Sequence, residues 1–316
     1  PLLTDPYTLY KHWKGERVVT GGKGFASEEW TLVSTLSGES GYGRDDRVLG
    51  GGFDYDYSQV MRIMTSQRTY WRGESKSFYT GFGWLDSDAE EDPPVVAFDG
   101  EPLPVYAWEP EPPVGKTVQV RQQVTVYGEV IPFPVLFGAP GITSVKLGSE
   151  AAASYGNAAD GASSGNGAAA DGQPVHVGIW LSRQGELYRI NDEYPRTYTV
   201  ESAVPVTDEE GWRSVTQDAF DALYADNLER WAPYLQLPDT LPERVRRLAE
   251  DIAAEAETPY DKVKNIEQYL KTAFPYSNRP DWSKGQSEDF VDRFLFEIRE
   301  GYCDYFSTAM AVMVRS

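Results

Sequence analysis

The residues best suited to covalent chemistry lie in one stretch, EGYCDYFSTAMAVMVRS, from Glu300 to Ser316. It contains Cys303, the one cysteine among 316 residues. Gly301 stands two positions earlier and can end a preceding helix in a left-handed conformation. Phe306, Ala309, Met310 and Met313 then recur at helical spacing, which predicts a helix starting near Tyr302 with those residues on its buried face. Cys303 falls in its first turn. The positive end of the helix dipole and the backbone N–H groups there favour a thiolate, and the same N–H groups can hold an oxyanion formed when sulfur attacks a carbonyl. The alternative is a small buried structural thiol, a common role for a lone cysteine. No internal disulfide can form, so cysteine content leaves the redox compartment open.

A thiol nucleophile needs a proton acceptor. The two histidines, His12 and His176, both precede the cysteine, and each reads as an ordinary surface or β-domain histidine. The acidic run DSDAEEDPP, from Asp86 to Pro94, has calcium-ligand residue types but reads as a solvated loop. No cofactor or metal is expected.

The elements that must carry Cys303 change character near residue 206. Before it the chain reads as β-rich. KTVQVRQQVTVYG alternates through Val118, Val120, Val124 and Val126, with a register change suggested at Gln122–Gln123. PVHVGIWLSRQGELYRI reads as a hairpin turning at Arg183-Gln184-Gly185, and RTYTVESAVPV as one more strand. A low-complexity Gly/Ala/Ser/Asn/Asp insertion at 148–173 interrupts these strands and cannot bury enough surface to order itself. After residue 206 the period is helical. LPERVRRLAEDIAAEAE aligns Val245, Leu248, Ile252 and Ala256, with Pro242 near the first turn. Thr258 caps a second helix, with Pro259 first, Asp261 in its first turn, and a stripe of Val263, Ile266, Leu270 and Ala273. SEDFVDRFLFEIRE predicts a third, capped by Ser287, with Phe290, Phe294 and Ile298 on one face. The expected organisation is α+β: a β-sandwich-like domain over 1–205 and a helical unit over 206–316.

Hydrophobic residues make up 41% and charged residues 25%, a globular balance. No apolar run is long enough to span a bilayer. The net charge of −20 repels phosphate backbones, so nucleic acid is not an expected partner.

The segment GYCDYFSTAMAVMVRS resembles the nucleophile segment of the transglutaminase-like superfamily, in which Gly-x-Cys opens the central helix of a papain-like fold. The longer run from Leu241 to Ser316 looks like bacterial TgpA-type membrane proteins. YWRGESKSFYTGFGW, from Tyr70 to Trp84, is similar to the aromatic signature of their preceding β region. The resemblance implies that Cys303 is the nucleophile of an acyl-transfer enzyme, with a protein or peptide amide such as glutamine as donor, and a lysine amine or water as acceptor. It also implies an extracytoplasmic domain of a membrane-anchored protein. The family's His and Asp follow the cysteine on later strands. The helical pattern reaches Ser316 without a C-cap or closing proline, so Ser316 reads as other than a natural end. The sheet carrying the His and Asp is then expected beyond it, and the 316 residues alone are expected to be nearly inactive. Without that sheet, Phe306, Met310 and Met313 are expected to lack partner surface, with fraying or self-association through this helix as the outcome. Two other readings stay open. Aromatic residues are 13% of the chain, with nine tryptophans, so a non-catalytic cell-surface binding module is one. A scaffolding relative of the enzymes is the other.

Overall fold

A computed structural model describes residues 46–53, 59–85, 95–98, 102–103, 117–127, 135–148, 176–182, 185–189, 194–206, 209–226 and 228–316. His12, the acidic run 86–94, residues 149–173 of the insertion, and the turn residues Arg183 and Gln184 lie outside the described residues.

The first part is built from ten strands, among the described residues: β1 Met61–Thr65, β2 Phe78–Tyr79, β3 Trp84–Leu85, β4 Val95–Phe98, β5 Thr117–Val126, β6 Val135–Leu136, β7 Ile142–Leu147, β8 His176–Leu181, β9 Leu187–Arg189 and β10 Thr197–Pro205. Two four-stranded sheets form, ordered β1-β5-β10-β7 and β4-β8-β9-β6, with β2 and β3 as a separate hairpin. All strand pairs are antiparallel. Both large sheets contribute to one core, Val124, Val126, Val145, Tyr198 and Val200 from the first and Leu136, Ile179, Leu181 and Leu187 from the second.

β5 departs from the expected register change. It is one continuous strand whose even-numbered residues all face inward, Gln122 included at 0% exposure. Burying an amide requires partners. Gln122 has them: its Nε2 donates to Val120 O at 2.8 Å and its Oε1 accepts from Ala139 N at 2.7 Å. The polar side chain interrupts the hydrophobic pattern without interrupting the strand.

The helical elements begin at Glu209: α1 Glu209–Arg213, α2 Gln217–Asp226, α3 Leu228–Leu235, α4 Glu243–Ala253, α5 Pro259–Ala273, α6 Phe290–Asp292 and α7 Cys303–Arg315. In α4, Val245 and Ala249 are buried and Leu248 and Ile252 pack partly against the core, while Ala256 lies past the helix end. α5 starts as its sequence dictates. Thr258 is extended, and its hydroxyl accepts from Asp261 N at 3.1 Å, with Pro259 at the first helical position. Ile266 and Leu270 are its buried residues.

α6 differs from expectation in three ways. Its cap is Asp289, whose carboxylate accepts from Asp292 N at 2.9 Å, and not Ser287. It continues as a π-helical turn, Arg293–Ile298. That turn ends on Arg299 in the left-handed region, φ 59° and ψ 22°, rather than on Gly301. Only glycine adopts this conformation freely. Arg299 has compensating contacts: its Nη1 donates to Leu295 O at 3.2 Å, and its guanidinium lies 5.1 Å from the centre of the Phe274 ring.

Among the described residues no strand follows Pro205, although Tyr276 and Gly301 form an isolated parallel bridge. The second core gathers α4 to α7, and it also takes in Leu49 and Tyr79 as buried members with Phe53 and Trp84 packed against it. A single cut at 205/206 therefore marks the change of secondary structure but does not separate the two cores. Among the described residues no helix is long and apolar enough to cross a membrane.

Candidate active site

Cys303 is the first residue of α7 and is exposed. Tyr302 ahead of it is extended, φ −120° and ψ −168°, and no side chain caps the helix. Its carbonyl accepts from Tyr305 N at 2.9 Å and Phe306 N at 3.2 Å, which closes the first turn. The sulfur lies 3.4 Å from Asp304 Oδ1, with the thiol as donor. That contact belongs to the protonated thiol, so nucleophilic attack from this arrangement requires a base that removes the proton.

Gly301 has a different purpose from the one its position suggested. Its φ is not positive. A Cβ there would sit 2.5 Å from Tyr305 Cγ, so the residue is held to glycine by the ring packed against it. Gly301 O accepts from Ser277 N at 2.7 Å. The backbone before the cysteine is thereby tied to the segment that follows α5.

The buried face of α7 is Tyr305, Thr308, Ala309, Val312 and Met313. The expected face was Phe306, Ala309, Met310 and Met313. The helix is turned so that Phe306 and Met310 sit at the edge, packed partly against the core. The expected shortage of partner surface is not what the structure shows at Met313, which is 2% exposed. Partners from the first part of the chain fill that side. Trp84 Nε1 donates to Thr308 Oγ1 at 3.1 Å, and the Arg315 guanidinium lies 4.9 Å from the centre of the Trp84 ring. Tyr305 is ringed by Phe290 at 4.7 Å, Tyr302 at 5.0 Å and Phe294 at 5.5 Å between centroids.

Beside the cysteine, Tyr276 is 58% exposed and stacks on Phe306, with ring centres 6.2 Å apart and planes within 12°. Phe306 is one helical turn from Cys303, so both project from the same side of α7. The helical part also holds a buried polar group. Tyr79 OH is 3.2 Å from Asp289 Oδ2, and Asp292, 2% exposed, is held by Arg244 through two contacts of 2.5 and 2.6 Å. Burial, with a smaller contribution from the charge of Asp292, pushes the Asp289 carboxyl up to about 6. Burial and the neighbouring Asp289 hold the Tyr79 phenol well above its usual range. This pair locks the β2–β3 hairpin to α6.

His176 is the first residue of β8, a strand that pairs with β4 and β9 in the first part of the chain. Sequence reasoning missed Tyr276, Tyr79, Trp84 and Asp289 as neighbours of the α7 unit. The glycine and aromatic run Tyr70 to Trp84 was the available signal. Within it Tyr79 and Trp84 pack together at 5.2 Å, while Tyr70 and Phe82 remain exposed.

Residues 246–316, which include α5, α6, α7 and Cys303, match the model of the transglutaminase-like superfamily. Over those residues the chain is similar to transglutaminase-like domains. Over 285 residues the chain is 31% identical to the protein YebA of Bacillus subtilis (strain 168), an alignment covering 90% of this chain and 34% of YebA. The chain thus spans about a third of that relative's length, 34%. The crystal structure of the periplasmic domain of TgpA from Pseudomonas aeruginosa is similar at a TM-score of 0.47 and 19% identity, covering 81% of this chain and 69% of that one.

Proposed function

We propose that this chain belongs to a cysteine-dependent acyl-transfer enzyme acting on amide or peptide bonds, with Cys303 as nucleophile. The observation that supports this is the exposure of the only thiol at the opening of α7, inside the segment that matches the superfamily. In the proposed reaction the Cys303 proton passes to a base, and sulfur attacks the carbonyl carbon. The C–N bond then breaks, and the amine leaves with the proton returned by the base. The resulting thioester is resolved by an amine, giving transamidation, or by water, giving deamidation or hydrolysis. The N–H groups of Cys303 and Asp304, at the opening of α7 ahead of the amides bonded to Tyr302 O, stabilise the tetrahedral oxyanion. The base is a histidine, as in the family resemblance, and neither His12 nor His176 is assigned that role. An extracytoplasmic location and membrane anchoring are part of the same proposal and rest on the resemblance of the motifs.

The test uses the full-length protein with glutamine peptides, following ammonia release and incorporation of a fluorescent primary amine. Cys303→Ala is expected to abolish both signals, and retained turnover in this variant overturns the assignment. Ammonia release without amine incorporation would assign hydrolysis over transamidation. Reporter fusions that place the 148–173 insertion in the cytoplasm overturn the location.

A further inference from the structure

The run LGGGF, Leu49 to Phe53, crosses from the β2–β3 hairpin to the residues that flank Cys303. At one end Leu49 N donates to Phe82 O at 2.8 Å and Trp84 N donates to Asp46 O at 2.7 Å. At the other end Phe53 N donates to Asn278 O, and Asn278 Nδ2 donates to Phe53 O, each at 2.9 Å. Between these anchors the carbonyls of Gly50 and Gly51 accept from Tyr302 OH at 3.4 Å and Tyr305 OH at 3.2 Å. The Phe53 ring meets the Tyr302 ring edge-on, with centres 4.8 Å apart.

The glycines are what allow this route. A Cβ on Gly50 would lie 2.8 Å from Trp282 Cη2, and one on Gly52 would lie 2.9 Å from Asn278 O. Gly51 has φ +74° with no atom within 4 Å of its Cβ position, so its requirement is conformational alone. Of these residues only Leu49 is buried. Leu49 and Phe53 anchor the two ends in the second core, and backbone hydrogen bonds fix the path of the glycines between them. Those bonds form a stack: Phe53 on Asn278, and the adjoining Ser277 on Gly301, two residues before the cysteine.

We propose that Leu49–Phe53 is a positioning element of the active site, with Phe53 and Asn278 as positioning residues that fix the Gly301–Tyr302 backbone and so the direction in which Cys303 is presented. The catalytic consequence rests on Cys303 as nucleophile. The positional claim does not, and the experiment reads it separately.

Two measurements are made on this chain as it stands. Hydrogen exchange follows the first-turn amides of Tyr305 and Phe306 against those of Val312 and Met313 further along α7. Alkylation of Cys303 by iodoacetamide is followed as a function of pH, with one thiol giving a clean signal. Phe53→Ala and Asn278→Ala are expected to speed exchange in the first turn by about tenfold or more, with Val312 and Met313 unchanged. They are also expected to shift the pH profile of alkylation, while Phe53→Tyr, which keeps the ring, behaves as the parent. Gly51 supplies a second route should the alanine variants lose the fold. Gly51→Val, disfavoured at positive φ, is expected to reproduce the effect, and Gly51→Asn, which tolerates it, is not. A folded Gly51→Val or Phe53→Ala protein with parental exchange in the first turn and a parental alkylation profile overturns the proposal. A full-length Cys303→Ala enzyme that keeps its activity would overturn the nucleophile instead and leave these exchange results standing.

Discussion

Replacing Asp289 by asparagine should make the protein more stable at neutral pH and erase part of its pH dependence. Asp289 is 6% exposed. One carboxylate oxygen caps α6 through Asp292 N at 2.9 Å, and the other faces Tyr79 OH at 3.2 Å. Both bonds favour the ionised form, yet burial outweighs them and raises the carboxyl from its ordinary 3.8 to about 6. The folded chain thus holds this proton more tightly than the unfolded chain. The stability it contributes is complete below pH 3.8 and is lost as pH rises through about 6. The shift from 3.8 to about 6 corresponds to about 3 kcal/mol at pH 7.

Asparagine removes the ionisation and keeps the geometry. Its oxygen can accept from Asp292 N, since Asn and Asp cap helices about equally. Its NH₂ can donate to Tyr79 OH, whose own proton is then directed to Gly81 O, 3.2 Å away. The assay is urea denaturation of parent and Asp289→Asn across the acid-to-neutral range, read as the difference between the two stabilities so that other carboxylates cancel. The difference is expected to be near zero at the acid end and to rise to as much as about 3 kcal/mol in favour of the variant at neutral pH. A difference that does not change with pH would refute the argument, as would a variant less stable than the parent at neutral pH.

Arg244→Ala should cost about 1–3 kcal/mol in the same denaturation assay, because it leaves the buried Asp292 carboxylate without its two-point partner, Arg244 itself being half exposed and screened by solvent. Gln122→Leu should cost about 1–3 kcal/mol despite its added apolar surface, because Ala139 N loses its acceptor inside the sandwich. Amide exchange at Ala139 should report that loss directly.

The local signals in the sequence were readable where short-range physics decides the outcome. The cap of α5 is one case, since Thr258, Pro259 and Asp261 satisfy each other within four residues. The strand β5 is another, apart from Gln122, whose partner Ala139 lies 17 residues away. The start of α7 at Cys303 was also readable, but its rotation was not. A hydrophobic window weighs Phe306 and Met310 above Tyr305 and Thr308. What buries Tyr305 and Thr308 includes Gly51 and Trp84, more than 220 residues upstream by the separations of 254 and 224. The cap of α6 failed for a related reason. Ser287 and Asp289 are both good capping types, and Asp289 is fixed in place by Tyr79, 210 residues earlier. The π-helical turn and the left-handed Arg299 carry no propensity signal, because each is held by packing around Phe274, Phe294 and Leu295 rather than by its own residue type.

These long-range contacts share a pattern that bears on how Cys303 is placed. α7 is gripped along its length by residues that precede or form the β2–β3 hairpin: Tyr302 and Tyr305 by Gly50 and Gly51, Thr308 by Trp84, and Arg315 by Trp84 and by Ser77 O at 2.8 Å. Gln236 adds a reciprocal pair, accepting from Tyr79 N at 3.0 Å and donating to Tyr79 O at 3.1 Å. Each contact is worth little alone, about 0.5–1.5 kcal/mol for a hydrogen bond. Closing a loop across two hundred residues is costly once, but the cost grows only slowly with length, and later contacts at the same junction do not repeat it. The sandwich and the hairpin bring the upstream residues to one place, so the successive grips on α7 add to one another. A helix held at its first turn, middle and last residue has little freedom to rotate or slide. The direction of the thiol at its opening is then set by the first part of the chain as much as by the helices that surround it.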